Sequence, residues 1–183
     1  MKVLLVTLLM IFGCSTALAD VLAELRQPGR VLLLRHANAP GFGDPPKFAL
    51  ADCASQRNLD AAGRAQARRL GERLRALGVN KARVYSSQWC RARETAELLG
   101  LGAVEPLPAL NSFFEQPQAR QKIIAGLRAF LAAQPVDGEA LILVTHQVVI
   151  NALTEASAPS AGGSLFRLNG SGSPQWLGAV EPD

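Results

Sequence analysis

No internal repeat and no low-complexity block occurs anywhere in the 183 residues, which excludes solenoid, propeller and linker-like architectures. Charged residues make up only 19% of the chain against 49% apolar, the balance of a globular protein and not of a disordered one. The length suits one domain with a full core. The sequence also lacks any cluster of His, Cys and Asp at metal-ligand spacing, so it implies no metal and no other cofactor. Its basic excess is small, a formal net charge of +4. Arg64, Arg68, Arg69, Arg73 and Arg75 stand along one predicted helix with no aromatic residues interleaved. A solvated helix face accounts for them better than a nucleic-acid site, and no nucleic-acid partner is expected.

Membrane-spanning hydrophobic length is missing too. The N-terminal apolar stretch from Val3 to Phe12, broken by Thr7, is too short to cross a bilayer comfortably. Lys2 precedes it, and Ala17-Leu18-Ala19 closes it with the small-x-small pattern of a signal-peptidase site. Residues 1–19 therefore read as a signal peptide cleaved after Ala19 and residues 20–183 as the exported domain, periplasmic or secreted. Two alternatives stand beside this one: an uncleaved anchor, and lipoprotein processing at Cys14 within a loose lipobox, Ile11 to Cys14. The bulky Phe12 and the good Ala-Leu-Ala site favour cleavage after Ala19. Cysteine is scarce, with three in the chain. Loss of the signal leaves Cys53 and Cys90, an even pair in an oxidising compartment and a disulfide candidate, with two buried free thiols as the alternative.

Val31 to Leu34 is a short continuous apolar run ending in Arg35-His36, as in a strand buried on both faces. Residues 37 to 58 lack periodicity and are rich in Gly, Pro and Asp, an unusually long irregular stretch of the kind that carries function. Asp60 can cap a helix whose apolar stripe is Gly63, Ala67, Leu70, Leu74 and Leu77, stopped by Gly78. A second short strand centres on Val84-Tyr85 and ends at Ser86-Ser87, and a helix runs from about Cys90 to Leu99. Ile123, Ile124, Leu127, Phe130 and Leu131 mark another helix. Ala140 to Thr145 is a third buried strand, followed by His146 and a helix over Val148 to Ala156. Leu165 to Leu168 and Trp176 to Val180 read as late strands forming an edge hairpin. This alternation predicts an α/β fold, a three-layer α/β/α sandwich around a mainly parallel sheet.

Ligands in such sheets bind beyond the carboxyl ends of the strands. Three strands end there in polar residues, and the chain's only two histidines, His36 and His146, are among them. Arg35 and Arg91 can join them. A tetrahedral dianion suits that gathering, because guanidinium forks bind phosphate oxygens in pairs. One imidazole can then attack phosphorus while the other groups stabilise the equatorial oxygens.

The segment Val31 to Ala37 resembles the Arg-His-Gly signature of the histidine phosphatase superfamily, the phosphoglycerate-mutase-like proteins. Asn58 to Gly63 with Gln66-Ala67 resembles its Leu-Thr-x-x-Gly-x-x-Gln-Ala segment. Val84 to Ala96 resembles its Ser-Ser-x-x-x-Arg-Ala-x-x-Thr-Ala segment, and Val144 to Ile150 its Thr-His-Gly-x-x-Ile segment. These matches cover most of residues 31 to 153 in the family's order. The resemblance implies His36 as the nucleophile that becomes phosphorylated, Arg35 and Arg91 as phosphate ligands, His146 as a stabiliser of its charge, and no metal. Ala37 and Gln147 replace glycines frequent in the family. Where many members carry a proton-donating Glu after the third segment, this chain has Ser112. Glu115, three residues on, is the first candidate for the acid and Asp44 in the long loop the second. Arg57, just before the second segment, is a further candidate phosphate ligand.

Together these readings give an exported phosphoric monoester hydrolase acting on a phosphorylated small molecule or an envelope glycan phosphate. A mutase would need a phosphorylated primer, and the exported domain leaves no room for an inserted cap. Two alternatives remain: a catalytically weak phosphate- or polyanion-binding protein of the same fold, and a structural envelope protein tethered by Cys14. The sequence sets neither the physiological substrate nor the oligomeric state.

Overall fold

In the computed structural model, which describes residues 21–182, the alternating strand residues divide between two cores. The signal-peptide assignment over residues 1–19 and the lipobox cysteine Cys14 lie outside the described residues. Strand β1 (Arg30–Arg35) turns Leu32 and Leu34 to one core and Val31 and Leu33 to the other. β2 (Arg83–Ser86) and β4 (Leu141–Thr145) do the same, Val84, Ile142 and Val144 on one side and Tyr85, Leu141 and Leu143 on the other. A strand apolar at every position is covered on both faces, and the covering layers are helices. α1 (Ala61–Ala76) and α2 (Cys90–Leu99) pack through Ala67, Leu70, Leu74, Ala92, Ala96 and Leu99 on the first face. α3 (Arg120–Ala132) and α4 (Gln147–Thr154) pack through Leu127, Leu131, Val149 and Ile150 on the second. The result is a three-layer α/β/α sandwich.

The six strands lie in the order β3-β2-β4-β1-β5-β6, with β5 spanning Gly163–Arg167 and β6 spanning Gln175–Val180. The first four are parallel; β5 runs antiparallel to β1, and β6 closes the edge as its hairpin partner. The short edge strand β3 (Val104–Pro106) has no counterpart in the sequence reading, because one valine followed by Glu105 and Pro106 leaves no apolar run. The apolar stripe of α1 is buried at Gly63, Ala67, Leu70 and Leu74, and Asp60 caps it by accepting the Gly63 N–H at 2.6 Å. Three of its arginines are used inside the fold: Arg64 on Glu94, Arg73 on the Glu181 carbonyl and Arg75 on the Leu99 carbonyl. Gly63 must be glycine, since a Cβ there would stand 2.0 Å from the Asn38 carbonyl oxygen. That close approach docks the start of α1 on the chain just after His36.

Residues 37–58 form an irregular loop, with a single 3-10 turn at Cys53–Ser55, and it is anchored at several points. Gln56, buried, donates to the Ala49 and Leu50 carbonyls and accepts the Cys90 N–H at 3.0 Å. Cys53 and Cys90 are disulfide-bonded with Cα atoms 5.7 Å apart, within the usual window. The bridge joins the late loop to the first residue of α2, one position before Arg91. Closing a loop of this 37-residue separation is worth about 4 kcal/mol in the chain-entropy model. Urea denaturation with and without reductant should therefore show a loss of about 2–4 kcal/mol on reduction, and the Cys53→Ser, Cys90→Ser double variant should match the reduced protein. Equal stability in both states would mean that the loop is held by its hydrogen bonds alone.

Candidate active site

Parallel pairing sets the register of the strand ends. Arg35 lies opposite Thr145 and Ser86 opposite Val144, so β4 delivers His146 between the ends of β1 and β2. The His36 N–H donates to the Thr145 carbonyl at 3.0 Å, and the two imidazole centroids are 5.4 Å apart. Arg35, His36, Arg57, Arg91, His146 and Asp44 all line one cavity of about 200 Å³, together with Phe42, Ser112, Phe114 and Gln147. The residues read from the strand ends thus converge, and Arg57 and Asp44 join them from the long loop. Glu115 does not line this cavity. It is exposed on the rim, where its carboxylate accepts the Asp44 backbone N–H at 3.3 Å.

The hydrogen bonds of His36 fix its tautomer. Its Nδ1 lies 2.8 Å from the Ala37 carbonyl, which can only accept, so the ring proton is on Nδ1. Nε2 therefore carries a lone pair, and it accepts from Arg91 Nε at 3.2 Å. Burial, with the charge of Arg91 next, lowers the His36 pKa to about 3, so the ring is neutral at ordinary pH. His146 is held well below its ordinary value by burial first and then by His36 and Arg91. Its Nε2 is 2.7 Å from Ser87 Oγ, which also accepts the Trp89 N–H at 3.2 Å.

The guanidinium of Arg91 is 4% exposed and is held bidentately by Asp44, Nη1 to Oδ1 at 2.8 Å and Nη2 to Oδ2 at 3.1 Å. Asp44 also accepts the Trp89 indole N–H at 2.9 Å and the Arg57 backbone N–H at 3.1 Å. Burial alone would raise the Asp44 pKa, but the hydrogen bonds and charge of Arg91, aided by the other two donors, outweigh it and hold the carboxyl below its usual range. The Arg57 side chain donates to the Gly43 and Ala39 carbonyls and so straps the loop. Arg35 spends Nη1 on the Ala158 carbonyl at 2.9 Å, while its buried Nε has no hydrogen-bond partner. A buried charged donor without an acceptor is costly.

Several supporting residues have no assigned role in the sequence reading. Thr95 Oγ1 donates to the Arg91 carbonyl at 2.7 Å and accepts the Ala37 N–H at 3.0 Å, tying the turn after His36 to α2. Gln66 accepts the Asn38 N–H and donates to the Ser160 carbonyl. Gln147 accepts the Ala158 N–H at 2.9 Å, steadying the residue that holds Arg35. All three lie inside the segments that carry the family resemblance, which was the available signal. Among the described residues, no group of three or more His, Cys, Asp or Glu side chains is arranged to hold a metal ion, and no helix is long and apolar enough to cross a membrane.

With only two histidines in the chain, ring nitrogen NMR reads this site directly. His36 should show its proton on Nδ1 and remain neutral as the pH falls through 6.5 and below 5; titration near 6.5 would contradict the buried geometry. Because its folded pKa lies below the unfolded one, the unfolded chain takes the proton first. Stability should therefore decline as pH falls from about 6.5 towards 3, by on the order of a few kcal/mol, and denaturation curves across that window should show it.

The histidine phosphatase superfamily (branch 1) model matches residues 31–116. No curated protein sequence matches the chain significantly. Solved structures do. The protein histidine phosphatase SixA complexed with tungstate is 19% identical with a TM-score of 0.54, over 83% of this chain and 96% of that one. The mycobacterial glucosyl-3-phosphoglycerate phosphatase Rv2419c complexed with VO3 is 18% identical with a TM-score of 0.57, over 83% and 98%. A phosphoserine phosphatase mutant from Entamoeba histolytica in complex with phosphoserine is 15% identical with a TM-score of 0.54, over 82% and 96%. At these identities the structural likeness establishes the fold. The family pattern runs across β1, α1, β2 and α2, and both histidines stand at adjoining strand ends of that fold, so residues 31–116 are similar to the histidine phosphatase superfamily (branch 1).

Proposed function

We propose that the protein is an exported, metal-independent phosphatase that hydrolyses phosphomonoesters through a phosphohistidine at His36. The observation that carries this reading is the gathering of His36, with its Nε2 lone pair on Arg91 Nε, and the guanidinium groups of Arg35, Arg57 and Arg91 in one cavity. A neutral imidazole needs no base to expose its lone pair. In this scheme Nε2 attacks phosphorus in line, and Arg35, Arg91 and Arg57 hold the equatorial oxygens, where charge accumulates. His146, whose Nε2 is engaged by the Ser87 hydroxyl, donates to the same oxygens from Nδ1. Water then attacks the phosphohistidine and returns the electron pair to Nε2.

The cavity is open at the loop side, with Phe42 87% exposed at its mouth, which suits a bulky or exposed phosphate ester better than an enclosed metabolite. The disulfide and the N-terminal export pattern support an oxidising, extracytoplasmic setting, where a phosphorylated small molecule or an envelope glycan phosphate is the substrate class. A second reading, a phosphate-binding protein without turnover, is favoured by Ser112, whose hydroxyl at the family's acid position is a poor proton donor at neutral pH.

A panel of phosphomonoesters assayed in EDTA should show turnover in the wild type and none in His36→Ala. Arg91→Ala should lose on the order of 10²-fold or more in rate. Brief mixing with a phosphoryl donor should label the wild type at His36 and separate an enzyme from a binder. Full activity in His36→Ala would end the phosphohistidine scheme.

A further inference from the structure

The Arg91 fork, which in the proposed scheme grips the phosphoryl oxygens, is held by a carboxylate of the same chain. Asp44 meets both terminal nitrogens of Arg91, and its side chain is 3% exposed. A carboxylate and a phosphoryl group offer the same pair of oxygens to a guanidinium, so they compete for it. Asp44 follows a stretch of backbone with two glycines in the left-handed region. Gly41 and Gly43, on either side of Phe42, have φ of 95° and 65°, a region that glycine enters freely. The chain around it is held by contacts that need not break together: Trp89 Nε1 on Oδ2, the Arg57 N–H on Oδ1 and Glu115 on the Asp44 N–H. Ser112 stands where the family places its acid, and Glu115 is on the rim, so among the described residues Asp44 is the one carboxyl that lines the cavity with His36.

We propose that Asp44 is the proton donor to the leaving oxygen, freed for that role when the substrate phosphate takes Arg91 from it. The proposal rests on the phosphohistidine reading. Once displaced, the carboxyl exchanges a cationic partner for a neighbouring anion, and an anion beside a carboxylate favours its protonated form. The proton comes with the ester monoanion. His36 Nε2 forms the bond to phosphorus, the phosphorus–oxygen ester bond breaks, and its electron pair leaves on the oxygen, which takes the Asp44 proton. In the second half, the Asp44 carboxylate takes a proton from the attacking water. The hydroxide bonds to phosphorus, and the phosphorus–nitrogen bond returns its pair to Nε2. When inorganic phosphate departs, Asp44 gives up that proton and closes on Arg91 again. The same residue thus serves as acid, then base, and as the anion that fills the site between turnovers.

The test is Asp44→Asn, which keeps an acceptor for Arg91 and removes the titratable oxygen. Two esters are compared, an alkyl phosphate with a poor leaving group and a nitrophenyl phosphate with a good one. The variant should lose about 10²-fold or more on the alkyl ester and stay within a few-fold of wild type on the nitrophenyl ester. It should also bind inorganic phosphate about 10-fold more tightly, because no internal carboxylate competes. Equal losses on both esters would make Asp44 a counter-ion only, and no loss on either would remove it from the chemistry; both overturn the proposal. Selective loss in Glu115→Gln instead would do the same, and unchanged phosphate affinity in Asp44→Asn would overturn the displacement. If Asp44→Asn does not fold, the wild-type protein and Glu115→Gln are examined by infrared difference spectroscopy on adding inorganic phosphate. A new protonated-carboxyl band in both supports the proposal, and its absence overturns it. His36→Ala retaining full nitrophenyl phosphatase activity would defeat the phosphohistidine scheme separately, since the phosphate-affinity comparison does not depend on turnover.

Discussion

Three guanidinium groups open into one small cavity, and that concentration of positive charge is the constraint on which the rest of the site depends. Burial and then the charge of Arg91 lower the pKa of both Arg35 and Arg57, which means that the pocket resists its own cations. Burial first, and nearby charges second, lower the pKa of both imidazoles. A neutral His36 is useful to a nucleophile, but buried Arg91 needs a counter-charge when no anion is bound. Leaving one member of a buried ion pair alone costs about 3–5 kcal/mol, a large share of the net stability of a domain. Asp44 meets that need, and the loop that carries it is fastened accordingly: by the Trp89 indole, by Arg57, by Gln56 and by the Cys53–Cys90 bridge. The long loop after His36 is thus a structural requirement of the empty site before it is anything else.

The fold was legible in the sequence wherever burial imposes a repeating pattern. β1 and β4 are apolar at successive positions because helices cover both their faces, and the stripe of α1 follows its buried side. The edge strand β3 was not legible, since three residues ending in Glu105 and Pro106 pair by backbone alone. The convergence of Arg35, His36, Arg91 and His146 could be read because each stands at or just after a strand end, and parallel strands bring such ends to one side of the sheet. Asp44 stood among the candidates only as a loop acid. Its bond to Arg91 spans 47 positions through a segment without periodicity, and no local pattern encodes that closure. Glu115 shows the opposite difficulty. Its spacing from Leu110 pointed towards the site, but the chain turns there, with the Gln116 N–H on the Phe113 carbonyl, so that Phe113 is buried while Phe114 and Glu115 face outwards.

The two departures from the family's glycines have physical work in this structure. Ala37 is fully buried, and its carbonyl accepts the His36 Nδ1 proton while its N–H is held by Thr95. The methyl group fills space without disturbing either bond. Gln147 does more. Its side chain takes the Ala158 N–H, and the Ala158 carbonyl in turn takes Arg35 Nη1. A glycine at that position would leave the Ala158 N–H without this partner and the Arg35 support less fixed. With Nη1 committed to the backbone, Arg35 keeps one buried nitrogen, Nε, without an acceptor. Arg91 is arranged in the complementary way: Nε is committed to His36, and the terminal nitrogens are satisfied by Asp44. One arginine therefore keeps a donor that no protein group satisfies, while the charge of the other is met by a carboxylate of the long loop. Both follow from how the scaffold spends its own hydrogen bonds.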